Sequence, residues 1–83
     1  MYKNKSVAGR NNICGGKMRQ YRLALPGKPS QRKFAEMLQL SGLEVDKNVV
    51  QRIESGERFV TDIELKVIAK TLRVSYEALL EDD

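Results

Sequence analysis

Four polar side chains, Lys47, Asn48, Gln51 and Arg52, stand close together in the middle of the chain. Their types suit hydrogen bonding to the edges of nucleic-acid bases. Lysine and arginine donate to the O6 and N7 of guanine, and asparagine pairs bidentately with adenine N6 and N7. Lys47 and Asn48 fall in the first turn of a helix that opens at Asp46, and Arg52 lies one turn further along. The alternative for all of them is an ordinary solvated helix face. Val49 falls off the apolar stripe of the same helix, where it suits either a thymine methyl group or a half-buried place beside the preceding turn.

Other chemistry has little to work with. Histidine, the commonest general base and metal ligand, is absent. No metal-ligand spacing, glycine-rich phosphate loop or nucleophile–base pair is present. Glu54, Glu57 and Glu64 are the centrally placed acids, and capping or ion pairing accounts for them. The chain is therefore expected not to be an enzyme and to need no cofactor, metal or small-molecule ligand. Cys14 is the single cysteine. It reads as a redox or intermolecular-disulfide site, or as a small residue near the start of the first helical region. One thiol cannot staple a fold, which suits a reducing cytoplasm. No run is apolar enough to cross a membrane, and the N-terminus lacks the apolar core of a signal peptide.

Charge is unevenly spread. Residues 1–33 carry nine Lys and Arg and no acid, whereas residues 34–83 carry six bases against eleven acids, a balance of −5. A basic half suggests one face for a polyanion. A solvated basic tail would give the same composition.

Eighty-three residues suffice for one small core. Residues 1–8 read as a basic arm and 9–83 as one domain. Residues 9–16 are Gly- and Asn-rich and leave a helix there open; Met18, Tyr21 and Leu25 give a helix over 17–25, stopped by Pro26, Gly27 and Pro29. Ser30 caps a second helix with Phe34, Ala35 and Leu38 on one face. Asp46 caps a third, about 46–55, which buries Val50 and Ile53 and ends at Gly56. Thr61 and Glu64 form a capping box for a fourth, with Leu65, Ile68, Ala69 and Leu72 in a stripe. Ser75 caps a last short helix over 76–80. The expected fold is all-α with five helices and a core of Met18, Leu23 or Leu25, Phe34, Ala35, Leu38, Val50, Ile53, Leu65, Ile68, Ala69, Leu72, Val74 and Leu79.

The succession MRQYR, SQRKFAEML, VVQRIESGER and LRVSYEALL resembles the Cro/repressor-type (XRE-like) helix-turn-helix domain. The likeness runs from about Met18 to Leu80, with a motif core at 30–56. It implies a lambda-repressor-like fold whose third helix enters the major groove. Two departures stand out. Gln39 to Val45 lengthen the turn, which in the family is about three residues with a glycine, as in a subset of Gram-positive bacterial and phage relatives with a similar QLxGLxVD turn. The loop after the first helix is also longer than usual.

The resemblance implies base contacts from Lys47, Asn48, Gln51 and Arg52 and a phosphate contact from Gln31. Lys28, Arg32, Lys33 and Arg58 flank the motif as further phosphate candidates. It also implies an ion pair between Arg22 and Glu54. The function so implied is a sequence-specific regulator of transcription on double-stranded DNA, expected to be a cytoplasmic repressor of phage or bacterial type. A homodimer through Tyr76, Leu79 and Leu80 is the expected assembly, with packing of those leucines onto their own core as the competing use. The other function considered is a protein-interaction module on the same fold, such as an antitoxin or anti-repressor.

Overall fold

The computed structural model describes residues 11–80; the expected arm, 1–8, lies outside them. The fold is all-α, with five helices: α1 (Gly15–Ala24), α2 (Gln31–Leu40), α3 (Lys47–Ser55), α4 (Asp62–Leu72) and α5 (Tyr76–Leu80). No strand occurs among the described residues.

Each boundary has a local cause. The α1 helix begins at Gly15, two residues before the sequence pattern suggests, because the Asn12 side chain accepts a hydrogen bond from the Gly15 N–H at 2.8 Å. It ends as Leu25 turns extended ahead of Pro26. Ser30 caps α2 by accepting from the Lys33 N–H, and Asp46 caps α3 by accepting from the Val49 N–H. The capping box of α4 is complete: Thr61 accepts from the Glu64 N–H, and the Glu64 carboxylate accepts from the Thr61 N–H. Ser75 accepts from the Ala78 N–H at the start of α5.

The lengthened turn is built rather than loose. The Leu43 N–H reaches back to the Leu38 carbonyl and the Gly42 N–H to that of Gln39. With Gly42 at φ 96°, this is a Schellman stop. Helix α2 thus takes in Gln39 and Leu40, leaving 41–46 as the connection. Val45 then turns inward and is buried, and its carbonyl accepts from Gln39 Nε2 at 2.6 Å.

The core gathers Cys14, Met18, Phe34, Ala35, Leu38, Val45, Val50, Ile53, Ile68, Ala69, Leu72 and Leu79. Most of the expected core is there. Leu25, Leu65 and Val74 are only partly buried against it, and Leu23 is 38% exposed. Leu23 stands one residue after the buried Arg22, so the helical twist turns it outward. Cys14 and Val45 were absent from the expected core; both lie in segments without helical periodicity. Helix α3 packs against both α1 and α2. At nine residues it is too short to persist alone, so burial of Val50 and Ile53, about 1.5–3 kcal/mol each, holds it in place.

Candidate nucleic-acid interface

Burial of Val50, Ile53 and Glu54 fixes which side of α3 faces out. Lys47, Asn48, Gln51 and Arg52 are all exposed on the other side. At about 100° per residue they span one arc of the helix, with Ser55 inside it. The Ser55 hydroxyl donates to the Arg52 carbonyl of its own helix. Val49 is half-buried against the core, the second of its two expected places.

The first turns of α2 and α3 share a groove. Ser30, Gln31, Arg32 and Glu36 line one wall, Asp46, Lys47 and Asn48 the other, with Gln39 between. Two helix N-termini therefore open beside one another, each with free N–H groups and the positive end of its dipole. The helix ends, with Arg32 and Lys47, favour an anion there, while the carboxylates of Glu36 and Asp46 on the same lining oppose one. Arg32 is exposed there, and Gln31 is half-buried, its Nε2 donating to Glu54 Oε1 at 3.0 Å.

Beneath the groove lies the ion pair between α1 and α3. Arg22 Nε donates to Glu54 Oε2 at 2.7 Å and Nη2 to Oε1 at 3.0 Å, while Nη1 donates to the Pro29 carbonyl at 2.8 Å. Both side chains are buried. One guanidinium thus fixes α3 against α1 and also holds the segment that leads into α2. A planar fork does this where a lysine ammonium would not.

The remaining cations differ in their freedom. Lys28 is exposed in the turn between α1 and α2, held at φ 44°. Lys33 is exposed and lies 3.7 Å from Glu36. Arg58 is engaged: its Nη1 and Nη2 donate to Glu64 at 2.9 and 2.8 Å. The hydrogen bonds from Arg58 hold the Glu64 carboxyl below the usual carboxylate range and, in turn, push the Arg58 guanidinium up. A phosphate contact from Arg58 would have to be made beside that carboxylate. It also borders a shallow groove with Arg52, Glu57 and Phe59.

At the far end of α3 the structure adds two residues absent from the sequence reading, Asn11 and Asn12. The Asn11 N–H donates to the Gly56 carbonyl at 2.7 Å and its Nδ2 to that of Glu57 at 2.8 Å. Asn12 Nδ2 donates to the carbonyls of Ile53 and Arg58. An asparagine three residues before a helix is a legible cap. Its reach to residues more than forty positions away is not.

Of the expected dimer residues, Leu79 is fully buried in its own core, whereas Tyr76 is 50% and Leu80 41% exposed. Among the described residues no cluster of His, Cys, Asp and Glu could hold a metal ion, and no helix is long and apolar enough to cross a membrane. Cys14 is buried beside Met18 in the core cluster. Compared with family models, curated proteins and solved structures, the chain finds no match in any of the three.

Proposed function

We propose that this chain is a sequence-specific double-stranded DNA-binding regulator of transcription, of the lambda-repressor-like helix-turn-helix kind. The single observation that carries the reading is the division of α3 into two sides. Val50, Ile53 and Glu54 are buried, and Lys47, Asn48, Gln51 and Arg52 face outward as one row of donors and acceptors. Helix α3 in the major groove would present that row to base edges. The groove beside it, with Gln31, Arg32 and the first turn of α2, would meet a phosphate and set the register. Repression follows as the simplest mode, since a bound domain obstructs a promoter without further parts.

Exposed apolar side chains favour a second reading, a protein-interaction module. Leu40 is 89% exposed, and Ile63 and Phe59 are exposed as well. Exposed apolar residues are common on any surface, so they weigh less than the divided α3.

Selection from a random duplex pool tests the first reading. A recovered consensus, bound more tightly than its scrambled version at two salt concentrations, is the expected result. Weak binding that is equal on every duplex and abolished by moderate salt describes a merely basic domain. The protein-interaction reading would then take its place.

A further inference from the structure

We infer that Asn12 is a positioning residue for the base-reading helix, tying the start of α1 to the C-terminal end of α3 through one side-chain amide. The inference rests on the DNA-binding reading of α3. Asn12 is buried, and both ends of its amide are hydrogen-bonded. Oδ1 accepts from the Gly15 N–H at 2.8 Å, which caps α1. Nδ2 donates to the Ile53 carbonyl at 3.0 Å and the Arg58 carbonyl at 2.7 Å. These two acceptors lie on either side of Gly56, the left-handed residue that ends α3. Asn11 adds bonds to the Gly56 and Glu57 carbonyls between them. The chain from Ile53 to Arg58 is therefore held at four carbonyls by two consecutive asparagines.

The location of this clip gives it a function that the other anchors of α3 lack. Val50, Ile53 and Glu54 lie along the buried side and set the depth and roll of the helix. They leave a pivot about their own contacts. Asn12 acts at the helix end and past it, at Ile53 and Arg58, where a tether has the longest lever arm against rotation about those contacts. Side-chain amides hold backbone in this way through directional bonds, which weaken steeply once misaligned. Arg52, in the last turn of α3, is the base-contact candidate nearest the clip.

The test uses the full chain on a duplex selected by the wild type and on its scrambled version, well below the melting temperature. Asn12→Ala removes the cap and the clip. Asn12→Asp keeps an acceptor for the Gly15 N–H but sets a carboxylate against two carbonyls, so it spares the cap and breaks the clip. Both should lower the selected-to-scrambled affinity ratio about ten-fold, equivalent to one lost base contact, and Asn12→Ala should leave scrambled binding unchanged. A ratio within about two-fold of wild type, whatever the fall in melting temperature, would mean a structural role only and would overturn the inference. If both variants fail to fold, Asn11→Ala, which removes the exposed bond to the Glu57 carbonyl, decides by the same ratio: a partial loss supports the clip and an unchanged ratio overturns it. A wild type with no preferred duplex refutes the DNA reading and this inference with it. A wild type with a preference that the variants share refutes this inference alone.

Discussion

Arg22 and Glu54, 32 residues apart in the chain, meet as a buried two-point ion pair at 2.7 and 3.0 Å. Their contact joins α1 to α3, and Gln31 donates to the same carboxylate from the first turn of α2. Three helices therefore share one charged centre under the exposed row of α3.

Breaking this pair should be costly. Arg22→Ala takes two charge-assisted hydrogen bonds from the buried Glu54 carboxylate, and Glu54→Ala leaves a buried guanidinium without its carboxylate. Each should destabilise by about 3–5 kcal/mol, well above a surface pair's ~0–1 kcal/mol. The double change Arg22→Met, Glu54→Leu should recover much of the loss, because no uncompensated charge is then buried. Urea unfolding of the four proteins checks this. Single variants as stable as the wild type would show that the pair contributes nothing.

Base and phosphate contacts should separate in titrations. Lys47→Ala, Asn48→Ala, Gln51→Ala and Arg52→Ala should each lose on the order of 1–3 kcal/mol on the selected duplex and relax preference at particular base pairs. Lys28→Ala and Arg32→Ala should weaken all sequences alike and reduce the slope of log K against log salt by about one unit per lost contact. Arg58→Ala should do the same while also lowering the melting temperature, because its partner Glu64 belongs to the α4 capping box. Uniform effects across both groups would remove the distinction.

Acid should reveal the Arg58–Glu64 pair. Glu64 is held below its ordinary value by the Arg58 hydrogen bonds, so its folded form releases the proton more readily than the unfolded form. Its contribution to stability is then complete above the unfolded value, about pH 4.3, and is lost as pH falls through the lower folded value. Because Arg58 keeps about a third of its side chain in water, the contribution should not exceed about 1 kcal/mol. Glu64→Gln should be less stable than wild type at pH 7, and the gap should close as pH falls through the lowered folded value. Parallel pH–stability curves for the two proteins would exclude the linkage.

Assembly on DNA is open to a direct measurement. One module of this size buries about 600–1,000 Å² on DNA, and a two-fold dimer on half-sites about one helical turn apart would double it. With Leu79 committed to the core, the proposed contact reduces to Tyr76, Leu80 and their neighbours. Sedimentation at micromolar protein should show two chains per palindromic duplex, and Leu80→Glu should reduce this to independent binding. One chain per duplex for the wild type, at every concentration, would leave α5 without an interface.

Helix number and most boundaries were legible in the sequence because they have local causes. Ser30, Asp46, Thr61 and Ser75 cap the helices they precede, Gly56 ends α3, and the apolar stripes name the buried sides. The exposed row Lys47, Asn48, Gln51 and Arg52 followed, since burying Val50 and Ile53 leaves those residues nowhere else to face. The pairing of Arg22 with Glu54 came from resemblance of motif, and the structure gives it its geometry. Tertiary structure alone decided the rest. Val45 and Cys14 enter the core from stretches without periodicity, Leu79 is taken by its own core, and Arg58 is bound to Glu64. Asn12 shows the reason most plainly. Its capping of α1 depends on a neighbour three residues away, whereas its bonds to Ile53 and Arg58 exist only once α1 and α3 have packed. A backbone carbonyl accepts from any donor the fold brings near, so no residue type in the sequence marks such a partner in advance.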